Sequence, residues 1–319
     1  MKTIFITGIA GMIGFHSARK FKENGWNVTG IDNFNDYYDP KLKHAREAML
    51  NQIGIDIIND DIQNPDSYHA AIKNADVILH LAAYANPRHS MEEPQHYIDT
   101  NITGSQRLIE TAEEFNTPVV YASSSCVMHG QPLPWNEHDR PGHQNNAYGW
   151  SKRANECQFM HSNLDRTIGL RFFTVYGPYG RPDMALFKFS DALVNNTPLT
   201  LYNYGDMKRD FTYVDDIVQG ITLVVDQITS NDNEYEGGMH EIYNIGYGEQ
   251  VQLMDFVEAI ENEFGRKGTY DKVPAHPADT PETWSDTSKL QKLGYKPTTA
   301  INEGVKHFVA WYKEYYNVN

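Results

Sequence analysis

The segment "TIFITGIAGMIGFHSARKFKENG", Thr3 to Gly25, limits the possible folds more than any other stretch of the chain. A short apolar run reads as a buried strand. It ends in a glycine loop, and the loop opens a helical pattern closed by Gly25. Gly8, Gly11 and Gly14 stand three residues apart in "TGIAGMIG". Glycines in that position permit a tight turn and let the backbone, with Met12 and Ile13, approach a pyrophosphate. The helix N-terminus then faces the phosphates with free N–H groups and the positive end of its dipole. The spacing is GxxGxxG rather than GxGxxG, so the strand–loop–helix context carries the reading. Outside that context the same glycines describe an ordinary turn. Asp32 closes a second strand candidate, "NVTGID", 18 residues after Gly14. A carboxylate there, with Asn33 beside it, binds ribose hydroxyls and repels a 2′-phosphate. The expected cofactor is therefore NAD rather than NADP.

The rest of the first half repeats the theme. "IDIIND", "ADVILHLAA", "TPVVYASSS" and "IGLRFFTVYG" read as strands with helical stretches between them. Such alternation predicts an α/β fold, a Rossmann-type doubly wound parallel sheet with helices on both faces. A polar insert, "NFNDYYDPKLKHAREAML", interrupts the pattern after the second strand. Asp61 and Ile62 follow the third strand and border the adenine on this reading, or form a solvated turn with Asp60. Leu81, Ala82 and Ala83 leave the fourth strand on the cofactor side. Beyond residue 176 the pattern changes. "GPYGRPD" is rich in Gly and Pro, and "QLMDFVEAIENEFG" is an amphipathic helix with Leu253, Phe256, Val257, Ile260 and Phe264 on one face. The expected division is an NAD-binding domain over 1–175, with a returning segment at about 212–246. A smaller C-terminal α/β substrate domain covers 176–319.

Composition excludes several classes. The chain has 319 residues and a formal net charge of −15, which argues against nucleic acid or an anionic membrane surface as the main partner. An anionic ligand would need a local basic pocket. Two cysteines in a chain of this length give no disulfide framework, which suits a reducing, cytoplasmic setting. No run of 18 apolar residues occurs. The histidines show no metal-ligand spacing, so no metal is expected.

The chemistry gathers around two further stretches. "YASSSCVMHG" ends a strand, where ligands of doubly wound sheets collect. "AYGWSK" places Tyr148 four residues ahead of Lys152 on a helical pattern, so both share one face. A nearby ammonium favours the phenolate and lowers the tyrosine pKa. With 20 tyrosines in the chain, this spacing also arises by chance. The order glycine loop, Ser124–Ser125, Tyr148–Lys152 is much more specific than any one of these signals. A Ser124 hydroxyl suits a hydrogen bond to the substrate hydroxyl that Tyr148 deprotonates.

In these motifs the chain resembles the extended short-chain dehydrogenase/reductase superfamily, whose Tyr-x-x-x-Lys pair is the catalytic base and its activator. "IDNFNDYYDPKLKHARE", "LRFFTVYGPYGRPDMALF", "YNYGDMKRDFTYVDDIVQGI" and "LGYKPTT…GVKHFVAWYKEYY" resemble its UDP-glucuronate 4-epimerase branch. The resemblance runs from end to end. It implies an NAD-dependent 4-epimerase that interconverts UDP-glucuronic and UDP-galacturonic acid through a 4-keto sugar. It places Thr174 and Arg181 near the hexuronic acid, Arg209 near the UDP diphosphate and Arg88 beside the substrate. Asp279 falls near the uridine ribose and Asn101 at the central helix beside the cofactor. An Arg suits such anions because its planar fork binds bidentately. For Arg88 and Asp279 a solvated surface charge is an equal reading. The resemblance also implies a homodimer in which the helices holding residues 101–114 and 147–163 form a four-helix bundle with their copies.

Departures bear on rivals. Relatives read Ser-Ser-x-Val-Tyr-Gly where this chain has Val127-Met128-His129-Gly130, and His129 reads as a surface residue. Related decarboxylases and dehydratases carry an acid where this chain has Cys126, and dehydratases an Asp at Ser125. Two other functions remain open from the sequence: a 4-epimerase of neutral UDP-hexoses, and a non-catalytic NAD sensor.

Overall fold

The computed structural model describes residues 1–230 and 237–318. Residues 231–236, inside the expected returning segment, lie outside the described residues. Six strands appear in the first half: β1 (Thr3–Thr7), β2 (Asn27–Asp32), β3 (Ile57–Asn59), β4 (Val77–His80), β5 (Val119–Ser124) and β6 (Thr167–Phe172). The strand His240–Ile245 joins them in one seven-stranded sheet. Its order is His240–Ile245, β6, β5, β4, β1, β2, β3, with every pairing parallel. The winding reverses between β1 and β4. That switch point opens a crevice at the carboxyl ends of both strands.

Parallel strands buried on both faces read as continuous apolar runs, and these do. Along β1, Ile4 and Ile6 face one layer and Phe5 the other, following the two-residue period of a strand. The first layer contains the helices Met12–Glu23 and Val214–Ile228, with Phe15, Phe21 and Ile221 among the buried contacts. The opposite layer contains Ser105–Phe115 and Ala147–Met160, represented by Leu108, Ile109 and Phe159.

A separate apolar cluster is built from the helices Ala185–Asn195, Leu253–Phe264 and Ile301–Tyr316 around Leu193, Phe256 and Phe308. Short strand pairs frame it. Thr174–Tyr176 pairs with Phe211–Tyr213, and Leu199–Leu201 with Tyr270–Lys272. The polar insert after β2 holds a helix that its composition hides, Lys41–Gln52. It buries Lys43 and Arg46 beside Leu42 and Leu50, because Asn35 of the same insert accepts from the Lys43 head and the carbonyls of Ala10 and Tyr179 accept from Arg46. Among the described residues no helix is long and apolar enough to cross a membrane.

Candidate active site

The glycine loop sits at the switch point. Gly8 has φ +68°, a conformation that L side chains rarely adopt, and a Cβ there would stand 2.9 Å from the Ala82 backbone. At Gly14 a Cβ would collide with the Gly8 carbonyl oxygen. Glycine therefore lets the loop close tightly against the exit of β4. The following helix, Met12–Glu23, starts at Gly11 with no side-chain cap. Its first-turn N–H groups receive no side-chain acceptor, which leaves donors for an anion.

Asp32 is nearly buried. Its carboxylate accepts the N–H of Ala10 at 3.1 Å and of Phe34 at 2.9 Å. Lys43 Nζ lies 3.8 Å from it. Asn33 Nδ2 donates to Asp61 at 2.7 Å, drawing the loops after β2 and β3 together. Leu81 and Ala82 are held by Thr7, whose Oγ1 accepts both of their N–H groups at 3.1 Å.

From the glycine loop a cavity of about 760 Å³ runs past the end of β5 to Arg209 and Asp279. Gly8, Gly11, Met12, Ile13, Gly14, Asp32, Asn33, Asp61, Ile62 and Leu81–Ala83 line its first part. Ser124, Ser125, Tyr148, Lys152, Thr174, Arg88, Arg181, Arg209 and Asp279 line the remainder. Asn101 departs from expectation: it does not line the cavity. It is fully buried in the π-helical stretch Tyr97–Gly104, and its amide is used elsewhere. Oδ1 accepts the Tyr84 N–H at 2.9 Å, and Nδ2 donates to Tyr84 O and Ser151 Oγ, each at 2.9 Å. Ser151 Oγ in turn donates to the Tyr148 carbonyl at 2.8 Å. Asn101 thus supports the tyrosine helix from behind.

Ser124 ends β5, and its Oγ accepts the Cys126 N–H at 3.2 Å. Helix Ala147–Met160 begins at Asn146, whose Oδ1 caps the Gly149 N–H at 2.8 Å. This cap sets Tyr148 in the first turn, with Lys152 one turn later on the same side. The electrostatics differ from the expected depressed phenol. Burial pushes Tyr148 up to about 12, nearby Cys126 adds to the rise, and the Ser124 hydrogen bond and Arg181 oppose it. Burial brings Lys152 down to about 7. Its Nζ donates to the Ala122 carbonyl at 3.0 Å. Desolvation is the largest influence on both groups, so the resting pair is a neutral phenol beside a readily deprotonated amine.

The arginines are not equally free. Arg181 grips Asp183 bidentately, with Nε–Oδ1 at 3.0 Å, and Nη1 donates to Ala85 O at 3.1 Å. Arg88 and Asp279 pair with each other, Nε–Oδ1 at 3.1 Å and Nη2–Oδ2 at 2.7 Å. The Arg88 guanidinium also stacks 3.5 Å from the ring centroid of Tyr202. Neither Arg88 nor Asp279 is therefore a solvated surface charge. Arg209 donates to the carbonyls of Lys208 and Pro281 at 2.9 and 2.8 Å. No ion pair reaches it among the described residues. Thr174 enters the cavity from a backbone fixed by its N–H to Asp210 O at 3.1 Å.

Sequence reasoning missed Tyr37, Asn86, Asp183 and Tyr202, which also line the cavity. The only signal was position: Tyr37 lies in the insert, and Asp183 follows Arg181 by two residues. His129 is half-buried rather than superficial, with Nδ1 2.9 Å from Thr280 Oγ1. Met128 is fully buried, in an apolar cluster with Val127, Trp135 and Phe173. Cys126 also lines the cavity.

A doubly wound sheet, a glycine loop at its switch point and a Ser/Tyr/Lys set at the end of β5 define an NAD-dependent enzyme of the short-chain dehydrogenase type. The chain belongs to the NAD dependent epimerase/dehydratase family, which it matches over residues 4–246. It is 40% identical to Protein CapI of Staphylococcus aureus, over 98% of this chain and 99% of that protein. It is 36% identical to a probable UDP-glucuronate 4-epimerase of Rhizobium meliloti, over 98% and 97% of the two chains. Its fold matches the crystal structure of a UDP-glucuronic acid 4-epimerase from Bacillus cereus in complex with UDP-glucuronic acid and NAD. The TM-score is 0.91 and the identity 30%, covering 98% of this chain and 100% of that one.

Proposed function

We propose that the protein is a UDP-glucuronate 4-epimerase, interconverting UDP-glucuronic and UDP-galacturonic acid through a 4-keto sugar. The observation that carries this reading is the convergence of Ser124, Tyr148, Lys152, Thr174, Arg181 and Arg209 on the one cavity that also receives the glycine loop. The full-length similarity to UDP-glucuronate 4-epimerases supports the choice of sugar.

Bound NAD supplies the hydride acceptor and donor at C4. Gly8, Gly11, Met12, Ile13 and Gly14 cradle its diphosphate, and Asp32 and Asn33 meet the adenosine ribose. Asp61 and Ile62 border the base, and Leu81, Ala82 and Ala83 form the wall at β4. Ser124 fixes the C4 hydroxyl of the sugar, and Tyr148 removes its proton once its own phenol proton has passed to the neutral Lys152 amine. Lys152 takes up positive charge one turn away as the phenolate forms, which offsets the desolvation that otherwise keeps Tyr148 protonated. Proton transfer of this kind contributes about 10²- to 10⁴-fold. The sugar then turns over between Thr174 and Ser125, and Tyr148 returns the proton. Arg209 holds the diphosphate of the substrate. Arg181 acts as a hydrogen-bond donor rather than a free cation, because Asp183 already balances its charge.

That last observation favours a second reading, a 4-epimerase of neutral UDP-hexoses. One experiment separates them. Purified protein is incubated with UDP-glucuronic acid, UDP-glucose or UDP-N-acetylglucosamine, and products are followed by NMR. Formation of UDP-galacturonic acid is expected. Conversion of the neutral sugars alone would refute the proposal.

A further inference from the structure

We propose that residues 33–46 form a strap that retains the dinucleotide through a complete turnover, with Tyr37 and Arg46 as its fastening residues. The inference rests on NAD occupying the cavity. The strap begins at Asp32 and runs along the cavity, which Asn33, Asn35, Tyr37, Tyr38 and Lys43 all line. It is tied at both ends and in the middle. At the adenosine end, Asn33 donates to Asp61 at 2.7 Å. In the middle, Lys43 Nζ donates to Asn35 O at 3.0 Å and to Asn35 Oδ1 at 2.9 Å.

Arg46 is fully buried and joins three segments. Its Nη1 donates to Ala10 O of the glycine loop at 2.7 Å and to Tyr38 Oη at 2.9 Å. Its Nη2 donates to Tyr179 O at 2.6 Å, in the loop after Tyr176. Tyr37 makes the second crossing. Its Oη donates to Asp183 Oδ2 at 3.1 Å, and the same oxygen accepts Asn86 Nδ2 at 2.8 Å. Arg181 holds Asp183 from the other side. Asp183 therefore gathers the strap, the loop after β4 and the loop after Tyr176 into one knot.

Reaction logic gives such a strap a purpose. An epimerase takes from and returns to one carbon, so its cofactor has no reason to leave between the two halves. A dehydrogenase that exchanges its cofactor each cycle needs the opposite. Ties at Asp61 and across to Asp183 oppose the departure of a dinucleotide, while none of them involves Arg209 or Asp279 at the other end of the cavity. Arg46 and Asp183 are positioning residues in this scheme.

The test is the rate at which NAD leaves. Tyr37→Phe deletes one hydroxyl and keeps the ring, and Asp183→Asn weakens the knot. Loaded enzyme is chased with excess labelled NAD, and the bound fraction is followed by rapid filtration. Both variants should release NAD at least about tenfold faster, the scale of one hydrogen bond to a charged acceptor. The thermal midpoint of cofactor-free Tyr37→Phe should fall only slightly, as one lost hydrogen bond requires, and its UDP affinity should match the wild type, which a general structural defect would lower. Should neither variant fold, amide exchange of residues 33–38 in the wild type replaces them, and slowing on NAD binding is expected. Unchanged release in folded variants, or unchanged exchange, would overturn the strap alone. A wild type that binds no NAD would overturn the cofactor reading beneath it.

Discussion

Replacing Lys152 by Met tests the resting state of the candidate catalytic pair. Lys152 is 3% exposed, and burial lowers its pKa from 10.5 to about 7. In the unfolded chain a lysine titrates near 10.4. Between about pH 7 and 10 the unfolded chain therefore holds a proton that the folded protein has released. Stability rises with pH wherever the unfolded state binds more protons. The stability linked to Lys152 is thus full above about pH 10 and is lost as pH falls through about 7. The difference across that window is on the order of 4 kcal/mol. Tyr148, raised to about 12, keeps its proton below pH 9.5 and does not disturb the comparison.

Methionine preserves most of the apolar stem and cannot titrate. It leaves the Ala122 carbonyl without the lysine donor, a cost of about 1–3 kcal/mol that does not vary with pH. The assay is urea denaturation of cofactor-free wild type and variant at pH 7, 8, 9 and 9.5. Subtraction removes the titration of every other group, including Lys43, whose pKa burial also lowers. The wild type should gain on the variant steadily as pH rises. Parallel stability curves would show that Lys152 is already an ammonium at rest, and the account of a neutral pair would fall.

Four other expectations follow from the proposed roles. Tyr148→Phe should lower turnover by at least about 10²-fold while NAD content stays unchanged, read by NMR progress curves and mass spectrometry of the denatured protein. The same spectrometry on wild type should find NAD in large excess over NADP; equal occupancy would remove Asp32 from its role at the ribose. Arg209→Ala should weaken UDP and UDP-glucuronate alike, by at least about tenfold in calorimetry, whereas intact UDP binding would move the diphosphate elsewhere. Trp150 and Met160 are 37% and 49% exposed on the helix proposed for the dimer, so Trp150→Glu should convert dimer to monomer by light scattering. A monomeric wild type at micromolar concentration would sink that assembly.

The sheet and the glycine loop were legible because their causes are local. Apolar runs of five or six residues mark strands buried on both faces, and φ +68° at Gly8 is a property of one residue. The helix Lys41–Gln52 was not legible. The segment reads only as a polar insert, and carbonyls distant in sequence, those of Ala10 and Tyr179, are what meet the buried Arg46. Asn101 was placed near the cofactor by resemblance. A π-helical turn carries its amide into the protein interior, and such a turn leaves no periodic mark in the sequence.

The arginines show the same limit at the site itself. Residue type states what a side chain is able to bind, not what already binds it. Arg88, Arg181 and Arg209 are equivalent in the sequence, yet the fold gives the first two bidentate carboxylates and leaves Arg209 with carbonyls. This uneven sharing has a consequence for the proposed substrate. A protein of charge −15 provides no long-range attraction for a UDP-sugar, so short-range contacts must hold it. Arg209 is the lining arginine whose charge remains available, which fits the diphosphate shared by all UDP-sugars. At the sugar end the Arg181–Asp183 pair is neutral as a unit. On the proposed reading, discrimination of a hexuronic acid from a hexose would depend there on directed hydrogen bonds from Arg181, Thr174 and Ser125 rather than on net charge. Selectivity built that way is sensitive to position, and under the two proposals the Asp183 knot that fixes Arg181 would bear on both the choice of sugar and the retention of the cofactor.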